Sequence, residues 1–91
     1  MERQTVWLVE FSNGERLLRG GRYDAWKSGA EYIRDTYNSL IREAEERNDR
    51  EEVKSLFAEG MGALTEFKAA SAKRGDFALD PLVRVTAMEV Y

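Results

Sequence analysis

The chain has 91 residues, 43% of them hydrophobic and 34% charged, with a formal net charge of −3. That length supports one domain with one modest core, and the composition is too apolar for a disordered tail and too charged for a membrane protein. The absence of both cysteine and histidine excludes a disulfide framework, a thiolate nucleophile and sulfur ligation of zinc, and it removes the usual general base near neutral pH. No catalytic centre, metal site or cofactor is therefore expected. No apolar run approaches the roughly 20 residues that span a bilayer. The polar start Met1-Glu2-Arg3-Gln4-Thr5 lacks the layout of a signal peptide, so a cytoplasmic location away from membranes is the expectation.

The first element is a strand. Thr5-Val6-Trp7-Leu8-Val9-Glu10-Phe11 is rich in β-branched and aromatic residues, with Trp7, Val9 and Phe11 on one face. Asn13-Gly14 is a strong two-residue hairpin signal, which would set Phe11 opposite Arg16, Val9 opposite Leu18 and Trp7 opposite Gly20. The second strand then ends at Gly20-Gly21, closing a β-hairpin over residues 1–22.

A helical hairpin is expected over 24–75. Asp24 is suited to N-cap a helix running from about Ala25 to about Arg47. Within it Trp26, Ala30, Ile33, Tyr37, Leu40 and Ala44 recur at steps of four and three and define one stripe. Gly29 interrupts the helical pattern. Asp49, with Glu52 three residues on, resembles a capping box for a second helix. Its stripe reads Val53, Phe57, Gly60, Leu64, Phe67 and Ser71, ending near Arg74 with Gly75 beyond. Asp80-Pro81 then precedes an alternating segment, Val83-Val85-Ala87-Glu89-Tyr91 on one face, which reads as a strand over 82–91. The order β-β-α-α-β gives an α+β fold, a three-stranded antiparallel sheet packed on a long αα-hairpin, with the last strand paired to the first.

Three surface features could carry function. Glu43, Glu45, Glu46, Asp49, Glu51 and Glu52, mixed with Arg42, Arg47 and Arg50, read as a solvated helix–turn–helix tip, with Glu43 and Arg47 in i,i+4 support. Arg16, Arg19, Arg22 and Lys27, joined by Lys73 and Arg74 and set beside Tyr23 and Trp26, make a candidate nucleic-acid patch. Tyr32, Ile41, Leu56 and Met61 fall off the core stripes, while Tyr32, Phe77 and Tyr91 are hard to bury within one copy. The first four form a candidate interaction surface.

The segment TVWLVEFSNGERLLRGGRYDAWKSGAEYI, with VRVTAMEVY at the end, resembles small uncharacterised proteins of phages and mobile elements. In those a β-hairpin runs into a helix and a final strand returns. The resemblance implies a protein that binds and modulates host machinery, anti-CRISPR-like inhibitors included, and it assigns no functional residue. The expectation is a non-catalytic protein-interaction module acting on another protein or on itself as a homodimer. The alternative is a nucleic-acid-associated regulator.

Overall fold

Residues 4–90 are described by the computed structural model, in the order β1 (Gln4–Phe11), β2 (Arg16–Arg19), α1 (Arg22–Glu46), α2 (Arg50–Ser71), β3 (Phe77–Leu79) and β4 (Val83–Val90). The strands form one antiparallel sheet in the order β2-β1-β4-β3. As expected, β4 pairs with β1 along its whole length, from Gln4↔Val90 to Phe11↔Val83. The three-stranded expectation is corrected to four. Phe77–Leu79 pairs with Val83–Val85 across a tight turn in which the Leu82 amide donates to Leu79 O at 2.8 Å. Pro81 lies in that turn and does not open the strand. Tyr91 lies outside the described residues.

The first hairpin is also corrected, by one residue. Its pairs are Glu10↔Arg16, Val9↔Leu17, Leu8↔Leu18 and Trp7↔Arg19. The loop holds three residues because Gly14 takes φ +91 while its amide donates to Phe11 O, which is the alternative loop that Asn-Gly sequences support. A slip of one residue exchanges the two faces of a strand. Leu17 thus joins Val9 in the core and Leu18 is left 62% exposed.

The helices cover one face of the sheet. Val9, Val83 and Val85 from the strands meet Ala25 and Ile33 of α1, Ala63 and Phe67 of α2, and Phe77. In α1 the buried residues are Ala25, Gly29, Ile33 and Ala44. Ile33 and Ala44 belong to the expected stripe, whereas Trp26, Ala30 and Tyr37 are only partly buried, Leu40 is exposed, and Ala25 and Gly29 stand in the core beside Ile33. In α2 the buried residues are Gly60, Ala63 and Phe67. Leu56 continues that stripe by spacing, and Phe57, expected in the core, is 62% exposed. Residues 38–59 contribute nothing to this main core. In the distal half of the hairpin Ala44 is fully buried, and Leu40 and Glu59 face a hollow shared with the β3–β4 turn. The molecule is accordingly long, 58 × 23 × 17 Å.

Two capping expectations separate. Asp49 does cap α2, accepting from the Glu52 amide at 3.1 Å. Asp24 does not cap α1, because the N-cap is Gly21 and Asp24 lies in the first turn. α2 ends at Ser71, short of Arg74, as the Ala72 and Lys73 amides turn back to Ala69 O and Ala70 O. At the tip Arg47 pairs with Glu52 at 2.7 Å, whereas Glu43 was the expected partner.

The helical glycines play different parts. A methyl group at Gly60 would stand 3.1 Å from Tyr37 Cγ, so Gly60 sets the approach of the two helices, whereas one at Gly62 would meet nothing within 4 Å. Gly62→Ala should therefore stabilise the domain by about 0.5–1 kcal/mol, the propensity gain of alanine at an open helical position. A chemical denaturation midpoint at or below that of the parent chain would contradict this.

Candidate interaction surface

On the side of the helix pair away from the sheet, Tyr23, Trp26, Ala30, Arg34, Tyr37 and Ile41 of α1 recur at steps of three and four. Phe57, Met61, Leu64 and Lys68 do the same on α2. Residues so spaced share one helical face, and the antiparallel crossing brings the two faces edge to edge. They line three hollows. The hollow at Tyr23, Trp26 and Lys68 shares those residues with the next, which shares Arg34 and Leu64 with the third at Ile41, Phe57 and Met61. Together they form one groove, about 27 Å from Tyr23 to Ile41 at ~1.5 Å per residue. Tyr23, Phe57 and Met61 are 68%, 62% and 56% exposed, whereas Trp26, Ala30, Ile41 and Leu64 are partly buried. Tyr23 rests on Trp26 with ring centroids 5.7 Å apart. The Trp26 Nε1–H is buried without an acceptor among the described residues.

Of the four residues expected on an interaction surface, Ile41 and Met61 meet in this groove. Tyr32 does not belong to it. Its ring packs on Phe11 at 4.7 Å and its hydroxyl shares a 2.7 Å hydrogen bond with Ser12 Oγ, so it ties α1 to the end of the first hairpin. Leu56 is partly buried and, at helical spacing from Gly60 and Ala63, falls on the core-facing stripe of α2 rather than in the groove. Phe77, also expected to be hard to bury, is 5% exposed beneath Arg22 and Phe67. The sequence places Tyr23 beside the basic stretch and Phe57 on the core stripe of α2, and neither on an apolar contact surface. Their signal was present as a second stripe beside the first, hidden because Phe57 fits both.

The candidate nucleic-acid patch disperses. Arg16 sits on the open face of the sheet, 3.5 Å from Glu10. Arg19 faces the helices and donates from Nε to Ser28 Oγ at 3.1 Å. Lys27 lies on the rim of the groove. Arg22 is engaged inside the structure: Nε donates to Ser71 O at 2.8 Å, one terminal nitrogen to Gly75 O at 2.7 Å, and the other to Lys73 O. Its guanidinium also lies 4.9 Å from the Trp7 ring centroid and 4.7 Å from that of Phe77. A cation at the start of α1 opposes that helix's own dipole, yet this side chain delivers its charge to the carboxyl end of α2, where it is favourable. Lys73 and Arg74 are exposed in the following loop.

A second exposed apolar pair, Leu18 and Met88, lies on the open face of the sheet, beside Leu8 and Val6 respectively. Among the described residues no group of three or more His, Cys, Asp or Glu is placed to hold a metal ion, and no helix is long and apolar enough to cross a membrane. Family models, curated proteins and solved structures give no match to the chain.

Proposed function

We propose that the chain is a non-catalytic protein-interaction module whose contact surface is the outer groove of its helical hairpin. The observation that supports this reading is the exposure of Tyr23, Phe57 and Met61 in one continuous groove. Scattered apolar residues are ordinary on a protein surface, but a contiguous strip with exposed aromatics and polar edges is the usual form of a contact site. The partner is another protein, in keeping with the host-directed modulator that the resemblance implies, or a second copy forming a two-fold dimer. The nucleic-acid alternative has less support, since Arg16, Arg19, Arg22 and Lys27 share no face and the guanidinium of Arg22 is occupied.

Phe57→Glu with Met61→Glu tests the reading. Both side chains are more than half exposed, so the melting temperature should move by only a few degrees, in line with about 0.5 kcal/mol for surface changes. Association, read as mass by light scattering for self-assembly or as co-purification with a native-host protein, should be lost. Association that survives in a folded double variant would place the contact surface elsewhere, with the Leu18–Met88 face the next candidate.

A further inference from the structure

Taking the groove as the docking surface, we infer that its occupant is an amphipathic helix of a partner protein, apolar along one stripe and acidic along both edges of that stripe. The shape argues for a helix. The groove is the seam between two helices lying side by side, about 27 Å long at ~1.5 Å per residue, and helical residues line it throughout. A third helix fits such a seam with its own backbone hydrogen bonds complete. An extended strand laid there would bring unpaired N–H and C=O groups against a surface with no backbone edge to receive them.

The charges argue for acid. Lys27 and Arg34 stand on the α1 side of the groove and Lys68 on the α2 side, with Glu31 the one carboxylate among the lining residues. Arg34 approaches Asp35 at 3.6 Å, but both side chains are more than half exposed, a pairing loose enough to be exchanged. A local excess of cations in a chain of net charge −3 favours a partner of opposite sign on the two rims. The same excess disfavours a second copy, because a two-fold pairing through this groove sets the cationic rims of two identical chains together. A nucleic-acid strand would satisfy the cations but leave Phe57, Met61, Ile41 and Leu64 without an apolar partner.

Two synthetic helical peptides of about 18 residues, matching the groove at ~1.5 Å per residue, provide the test. Both carry the same leucine stripe at steps of three and four; one has glutamate at both edges and the other lysine. Titrated into the full chain and followed by amide chemical shifts, the glutamate-edged peptide should bind at least ~10-fold more tightly at low salt. The shifts should be confined to the groove residues. Arg34→Glu with Lys68→Glu should reverse the preference, and Met61→Glu should weaken both peptides. Equal affinity for the two peptides would overturn the acidic partner and leave the groove as a docking surface. Binding of neither, with a self-association that Met61→Glu abolishes, would assign the groove to a second copy. Binding of neither peptide with no such self-association would remove the groove reading itself. A single-stranded oligonucleotide that outcompetes the acidic peptide from wild type but not from the Arg34–Lys68 variant would assign the groove to nucleic acid instead.

Discussion

Arg22→Ala should lower the melting temperature of this domain by roughly 10 °C or more. The substitution strips the carbonyls of Ser71, Lys73 and Gly75 of their donor and removes the cation that lies over Trp7 and Phe77. Hydrogen bonds to a charged group contribute about 1.5–3 kcal/mol and a partly desolvated cation–π contact about 1 kcal/mol, and such terms sharing one side chain do not add in full. A loss of about 2–4 kcal/mol is therefore expected, where each kcal/mol is worth about 4–8 °C in a domain of this size. Arg22→Lys separates charge from shape: the ammonium keeps the favourable sign at the end of α2 but cannot present a planar fork to three carbonyls. It should recover part of the loss and no more. Thermal denaturation followed by circular dichroism decides it, and a lysine variant as stable as wild type would show that the fork geometry contributes nothing.

Gly29→Ala should destabilise the fold although helix propensity favours the change by about 1 kcal/mol. A methyl group at this position would stand 2.6 and 2.7 Å from Phe67 Cζ and Cε2 and 3.1 Å from Val83 Cγ1. Phe67 is fully buried and Val83 is 1% exposed, so neither can swing toward solvent. Overpacking of this kind costs about 1–3 kcal/mol and sometimes more, enough to outweigh the propensity gain. The missing side chain at Gly29 thus lets α1 lie close both to α2, through Phe67, and to the sheet, through Val83. In the double variant Gly29→Ala with Phe67→Leu the smaller side chain should make room, giving a favourable coupling energy of about 1 kcal/mol or more. Urea denaturation of the four chains in that cycle measures it. An additive cycle, or a more stable Gly29→Ala, would mean the helix can shift at low cost.

The parts of the fold that declared themselves in the sequence are those governed by local pattern. The β-branched and aromatic run of β1, the Asp49 cap and the period of α1 and α2 all rest on residues a few positions apart. The parts that did not are governed by contacts across the chain. Phe77–Leu79 is too short to show a period, and it becomes a strand because Val83–Val85 offers it an edge. Ala25 and Gly29 stand among the buried residues of α1 but carry little hydropathy, so the larger Trp26, Tyr37 and Leu40 dominated the reading. Asn13-Gly14 specified a turn but not whether the loop held two residues or three. Arg22 looked like one cation in a basic stretch because its acceptors lie 49 to 53 positions away. The groove was half legible: Ile41 and Met61 stood out as surplus apolar residues, whereas Tyr23 and Phe57 needed the crossing of the helices to reveal their common face.

Because the main core stops short of residues 38–59, the root of the helical hairpin is expected to open less readily than its tip, which hydrogen exchange would show as weaker protection in the distal turns. Segments with few buried apolar contacts open locally at a fraction of the global unfolding free energy. The groove crosses that boundary. Its Tyr23–Trp26 end rests on the half anchored to the sheet, and its Ile41–Phe57 end rests on the half that is not. An occupant would therefore meet a preformed seat at one end and an adjustable one at the other. On the proposed docking reading, the entropic cost of ordering would fall mainly on the distal end, while the root would keep its register.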